Sequence, residues 1–343
     1  MFAHRGLARA AWATLAATVA VAIWGAFVRA TGSGAGCGSH WPLCDGAVLP
    51  DVGSAATAIE FTHRVTSGLA LLAVVGLWAA LRRVAPTGAL ARRAALVSLV
   101  LMLVEAAIGA GLVLLELVGE NTSVARAVVM GGHLVNTFAL VGALTITAWA
   151  LGGRGPLRFD GGRAAWGLWA CAAALLLTGV SGAVAALGDT LFPAESLFEA
   201  WRQELSVTSN ILIRLRLLHP VIAVATAAAV AVVARSRTGD DAPGLAAPDM
   251  LGRRALPAGR LARLDATRDF HHGLLARLLV WLLAVQLAAG AINVLLLAPT
   301  WLQLVHLLLA NAVWVVFVLL AAERLSLERG ERAEAPSLHA SPT

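Results

Sequence analysis

A chain of 343 residues that is 59% hydrophobic and only 13% charged is not a soluble globular domain, in which about a quarter of residues are charged. The formal net charge of +6 does not indicate nucleic acid either. Every basic residue is an arginine, and the arginines are scattered over short connections between apolar runs, the distribution that orients membrane proteins.

Crossing a hydrocarbon core of about 30 Å takes about 20 apolar residues. Eight segments meet that length, at 10–29, 58–81, 94–117, 127–150, 165–187, 212–234, 274–297 and 302–323. The first reads as a span rather than a signal peptide, because no A-x-A-like processing site follows it. Arg5 and Arg9, Arg82, Arg83, Arg92 and Arg93, then Arg154, Arg158 and Arg163 fall on one side. The seven arginines from Arg235 to Arg268, and Arg324, Arg329 and Arg332, join them there. The opposite side has Arg29, Arg126, Arg202 and Arg214, with Arg64 and Arg216 at segment entrances. The positive-inside rule therefore places both termini in the cytoplasm of a multi-pass plasma-membrane protein. Stretches 151–164 and 236–272 become cytoplasmic connections without sustained periodicity, 326–343 a polar tail, and 30–57 and 188–211 the long outer loops.

The fold class that follows is an all-α integral membrane protein, with eight transmembrane helices forming two pseudo-repeated four-helix bundles. The halves are residues 1–150 and 165–325. The duplication is read from matched residues: His63 aligns with His219, Gly132-His133-Leu134 with Val305-His306-Leu307, and Glu105 through Gly109 with Gln286 through Gly290. The second, fourth, sixth and eighth segments run inward from the outer face, and each carries one of His63, His133, His219 and His306 near its start. An unsatisfied polar group in hydrocarbon costs several kcal/mol. Four imidazoles at one depth need a common purpose, and axial ligation of heme iron, two histidines per half, supplies one.

Around the first histidine the chain reads Glu60-Phe61-Thr62-His63-Arg64. Glu60 and His63 share a helix face, and an acid at such depth is a functional candidate by default. It can take up protons, stabilise a cationic centre on the macrocycle edge, or simply pair with Arg64 or Arg29. The second half has Arg216 and Pro220 at the aligned positions, so chemistry is assigned to the first half and a resident heme to the second. Glu105 can hydrogen-bond within the bundle or relay protons and is not named catalytic; Gly109 and Gly290 permit close helix approach. In the first outer loop Cys37 and Cys44 read as a disulfide, with a metal site built from Cys37, His40 and Cys44 as the competitor. Cys171 is a packing residue.

The run from Gly25 to Gly46 (GAFVRATGSGAGCGSHWPLCDG), the Glu60-x-x-His63-Arg64 motif and the later histidines resemble the heme A synthase family. The resemblance implies two similar four-helix bundles and an enzyme that oxidises a methyl group of heme o to the formyl group of heme a for cytochrome oxidase. It implies His63 and His133 as ligands of the substrate heme and Glu60 as the essential carboxylate. It further implies His219 and His306 as ligands of a heme b cofactor, and a Cys37–Cys44 disulfide. Heme O synthase and an electron-transfer partner are expected neighbours, with no residue in the chain that points to either. A methyl C–H is inert, so the power comes from iron and the protein supplies position and proton control. Two features depart from the family pattern: the loop before the sixth segment lacks a second cysteine pair, and His219 is followed by Pro220 rather than arginine. The rival readings are a b-type cytochrome electron carrier and a heme transporter or chaperone.

Overall fold

A computed structural model of the chain describes residues 2–153, 156–157, 163–206, 208–236 and 258–326. The expected tail beyond 326 and most of the connections 151–164 and 236–272 lie outside these residues.

The protein is a multi-pass membrane protein: eight of its helices are long and apolar enough to cross a bilayer. The helices are α1 (Phe2–Ala30), α2 (Ala55–Val84), α3 (Leu90–Leu114), α4 (Val124–Leu151), α5 (Arg163–Leu191), α6 (Leu197–Leu205), α7 (Ile211–Leu215), α8 (Leu218–Arg235), α9 (Ala258–Leu295) and α10 (Thr300–Leu325). A single 3₁₀ turn, Ser33–Ala35, follows α1. No strand occurs among the described residues. Each span outruns hydrocarbon at about 1.5 Å of rise per residue. Their starts are chemically defined: Ser54 accepts a hydrogen bond from the Thr57 amide and Ser123 from that of Arg126, N-caps that satisfy donors a helix start leaves open.

Three details differ from the expectation drawn from sequence. The sixth span is split into α7 and α8, with the break at Arg216 and Leu217. Pro220 explains it, because its ring cannot coexist with the helical carbonyl of residue 216 and it has no N–H to offer. The helix therefore restarts at Leu218, immediately before His219. Second, α9 begins at Ala258, inside the stretch expected to be a loop. Third, the outer loop 188–211 contains α6, capped by the Ser196 hydroxyl accepting from the Glu199 amide. Leu197, Phe198, Trp201 and Leu205 of α6 are all exposed, an apolar face suited to lie in the bilayer interface.

Helix α1 packs on α2 and α4, α2 on α3, and α3 on α4; α5 packs on α8, α8 on α9, α9 on α10, and α10 back on α5. Two rings of four helices result. They share a seam of α1 and α4 against α5 and α10, where Trp314 donates to the Phe138 carbonyl at 2.7 Å and lies tilted against the Phe138 ring. Among the described residues α4 is the most buried of the spans, which is why its outward-facing stripe is the narrowest.

Candidate functional site

All four histidines lie toward the same end of the bundle as the disulfide loop, because α2, α4, α8 and α10 run in the same direction in an alternating array. Three of the rings are cradled by glycine. A Cβ on Gly25 of α1 would stand 3.0 Å from Cε1 of His63, one on Gly182 of α5 2.9 Å from Cε1 of His219, and one on Gly290 of α9 3.1 Å from Cε1 of His306. Each ring occupies the space that a side chain on the preceding span would fill. Sequence reasoning assigns Gly290 only a general packing role and does not single out Gly25 or Gly182. Their signal is the spacing, since Gly25 and Gly182 stand to each other almost as His63 stands to His219. Gly109, paired with Gly290 by alignment, cradles no ring: a Cβ there would meet nothing within 4 Å.

The rings of His219 and His306 face each other edge-on with centroids 6.4 Å apart. An imidazole nitrogen binds a transition metal at about 2 Å, so two rings sharing one metal have centroids about 6 Å apart. The separation of the two rings matches that of an axial ligand pair. The Ser181 hydroxyl lies 3.0 Å from Nδ1 of His219, and Gln286 contacts Nε2 of His306 at 3.2 Å. Nδ1 of His306 is buried with no hydrogen-bond partner, as are Nδ1 of His63 and of His133. These three rings are thus held in place without a hydrogen bond at Nδ1.

Glu60 is almost fully buried. Its Oε2 accepts the Cys37 amide at 2.9 Å, and its Oε1 accepts Nη2 of Arg64 at 2.5 Å. Arg64 in turn donates to the carbonyls of His40 at 2.8 Å and Leu43 at 2.6 Å. Thr57 donates to the Gly36 carbonyl at 2.7 Å. Cys37 and Cys44 are joined in a disulfide, which removes the competing metal site. One turn of α2 is thereby stitched to a cross-linked loop, and Glu60 pairs with Arg64 rather than Arg29.

Arg29 instead crosses the seam. It donates to the Ala186 carbonyl at 2.8 Å, to the Thr190 hydroxyl at 2.6 Å and to Gln303 at 2.7 Å. Arg216, expected to stand without an acid, meets Asp189 of α5 at 2.9 Å. Glu204 of α6 faces the same group: burial pushes its carboxyl above the ordinary range, Arg216 opposes the rise and Asp189 adds to it.

Glu105 of α3 sits beside His133. The Asn136 amide and the Thr137 hydroxyl donate to its carboxylate, and Oε1 lies 3.5 Å from Nδ1 of His133. Asn136 also donates to the Leu101 carbonyl at 2.9 Å. Among the described residues no three His, Cys, Asp or Glu side chains converge as a metal-ion site.

Residues 8–256 match the family described as cytochrome oxidase assembly protein. The chain is similar to a protein named Protoheme IX farnesyltransferase in Thermus thermophilus, 45% identical over 331 residues, which are 95% of this chain and 49% of that protein. The chain thus spans about half the length of that relative. It is also similar to proteins named Heme A synthase in Staphylococcus haemolyticus, 41% identical over 119 residues (33% of this chain, 38% of that one), and in Shouchella clausii, 38% identical over 114 residues (32% and 36%).

Proposed function

This chain belongs to the cytochrome oxidase assembly protein family, and from that premise we propose that it is a heme A synthase. The reaction oxidises a methyl group of heme o to a formyl group by successive hydroxylations followed by loss of water. The observation that carries this reading is the unequal furnishing of the two histidine pairs. His133 has the Glu105 carboxylate beside its ring, whereas the rings of His219 and His306 meet only a hydroxyl and an amide; each half also pairs a carboxylate with an arginine within one turn of a histidine, Glu60 with Arg64 and Asp189 with Arg216.

In this reading residues 1–150 form the substrate half, with His63 and His133 holding heme o. Residues 165–325 form the electron half, with His219 and His306 holding heme b as resident cofactor. Heme b, when bound, supplies one-electron transfer. The chain's own residues do the rest. Glu60 presents a carboxylate whose two oxygens are already occupied by Arg64 and the Cys37 amide. A carboxylate so fixed is a preorganised group at the mouth of the site, with most of its charge balanced by Arg64. The disulfide loop caps the same site and limits water. The basic connections belong to the cytoplasmic side and the disulfide loop to the outer side of the plasma membrane. A relative named for protoheme IX farnesyl transfer carries a chain like this one as half of its length, which supports heme O synthase as the partner that delivers the substrate.

That same relative supports a second reading, in which this chain itself takes part in farnesyl transfer. One experiment separates the two: chromatography of hemes extracted from a host that makes heme o but not heme a, and from one that makes only heme b. Heme a or its hydroxylated precursor in the first host establishes the synthase. Heme o in the second establishes the transferase. Copurified heme b with neither product favours an electron carrier.

A further inference from the structure

We propose that Glu105 is a positioning residue that makes His133 the strongest electron donor of the four histidines, and so sets the two heme sites apart electronically; this rests on the reading of His63 and His133 as heme ligands. Each imidazole has a different neighbour on its second nitrogen or at its ring edge. His219 has the Ser181 hydroxyl on Nδ1, and His306 has the Gln286 amide on Nε2. Nδ1 of His63 has no partner. Only His133, among these four, has a carboxylate oxygen beside Nδ1, at 3.5 Å. That separation is longer than a formed hydrogen bond, and Nδ1 reaches no other acceptor. A ring shift of a few tenths of an ångström closes it.

The carboxylate is itself held. His133, Asn136 and Thr137 are spaced i, i+3 and i+4, so all three project from one face of α4 toward α3. Asn136 and Thr137 both donate to Glu105, and Asn136 is anchored in turn by the Leu101 carbonyl. The Thr137 hydroxyl also lies 2.9 Å from the His133 carbonyl. The arrangement is a carboxylate–imidazole pair with a support on each side. Such an acceptor fixes the ring tautomer with Nε2 free for the metal, and it raises ligand basicity. A more basic ligand stabilises ferric over ferrous iron. The aligned residue in the other half is the uncharged Gln286, which reaches Nε2 of His306 and leaves its Nδ1 without an acceptor, so no carboxylate backs that ligand. A heme held by His63 and His133 would then sit at the lower potential and one held by His219 and His306 at the higher.

The test uses the full-length protein purified with its hemes and titrated by optical and EPR spectroscopy. Wild type should give two low-spin signals with distinct midpoint potentials. Glu105→Gln should keep heme content, leave one signal in place and move the other. A loss of about 10-fold in the preference of the ligand for ferric over ferrous iron corresponds to a shift of about 59 mV toward positive potential for one electron. Glu105→Asp should restore part of the shift, which a purely packing role would not. Two unchanged signals in Glu105→Gln at full heme content overturn the proposal. If that variant loses its half-one heme, Thr137→Val decides the matter: the carboxylate stays but loses one of its two side-chain donors and becomes the stronger acceptor, so the half-one potential falls if Glu105 tunes the ligand, and an unmoved potential overturns the idea. A wild-type protein with heme in one half only refutes the underlying two-heme reading, and that outcome is visible before any variant is made.

Discussion

The two groups of four helices place their histidines by a shared contact and surround them differently. In the second half, the histidines face each other at 6.4 Å, backed by glycine and touched by neutral groups. In the first half one histidine keeps its glycine cradle, but the other has exchanged it for an acid on α3, and a cross-linked loop is stitched over the helix that carries the first. The difference teaches that the ring-on-glycine contact is the common device for placing an imidazole between spans. A carboxylate at a ring, Glu105 beside His133, is what the first half adds to it. A protein that only bound heme would need the device and not the addition.

The comparison breaks most completely at the histidines. His219→Ala and His306→Ala should each abolish heme in the second half while leaving the first half able to hold it, and His63→Ala or His133→Ala should do the reverse. Heme stoichiometry in the purified variants measures this. If one substitution empties both halves, the sites are not independent. The next largest effect belongs to the carboxylate of the Glu60–Arg64 pair. Glu60→Gln should lower turnover by about 10²–10³-fold, the loss typical of removing one preorganised electrostatic group, with heme content retained. Loss of heme with turnover per heme unchanged would make Glu60 a purely structural anchor of the loop. Gly182→Ala should weaken heme binding in the second half by about 10-fold, since its methyl would stand 2.9 Å from Cε1 of His219 and the ring must move. Heme titration of the purified variant checks it, and unchanged affinity would show that the ring relaxes freely.

Much of this architecture is legible in the amino-acid order, for identifiable reasons. The eight spans follow from apolar runs that no soluble helix needs, and the common depth of the histidines follows from strict alternation of direction. The Glu60–Arg64 pair is a local i, i+4 contact, so the motif itself offers it as one alternative. What the order of residues hides is whatever depends on packing between distant spans. Arg29 and Gln303 are 274 positions apart, and nothing local to either says that they meet. The Cys37 amide on Glu60 depends on the fold of a loop. Asp189 escapes notice in the sequence because its partner Arg216 lies across a connection with a helix of its own. The split of the sixth span is hinted at by Pro220, which is tolerated in a first turn; the proline does not prevent a helix but sets where it starts.

The smallest expected effect is the one that most sharpens the contrast between halves. Gly109 and Gly290 occupy aligned positions in α3 and α9, and by alignment alone a methyl should be equally harmful at both. The structure separates them. At Gly290 a methyl would stand 3.1 Å from Cε1 of His306, whereas at Gly109 it would meet nothing within 4 Å. Gly290→Ala should therefore displace a ligand and lower heme affinity in the second half. Gly109→Ala should leave heme binding alone and, by removing backbone freedom from a helix interior, stabilise the protein by about 0.5–1 kcal/mol. Thermal unfolding and heme titration of both variants measure the pair of outcomes. Equal losses of heme would mean that His133 does after all lean on α3 through Gly109, in the manner of the other three rings. Loss at Gly290 alone would mean that the first half has given up one glycine cradle and holds that histidine by charge.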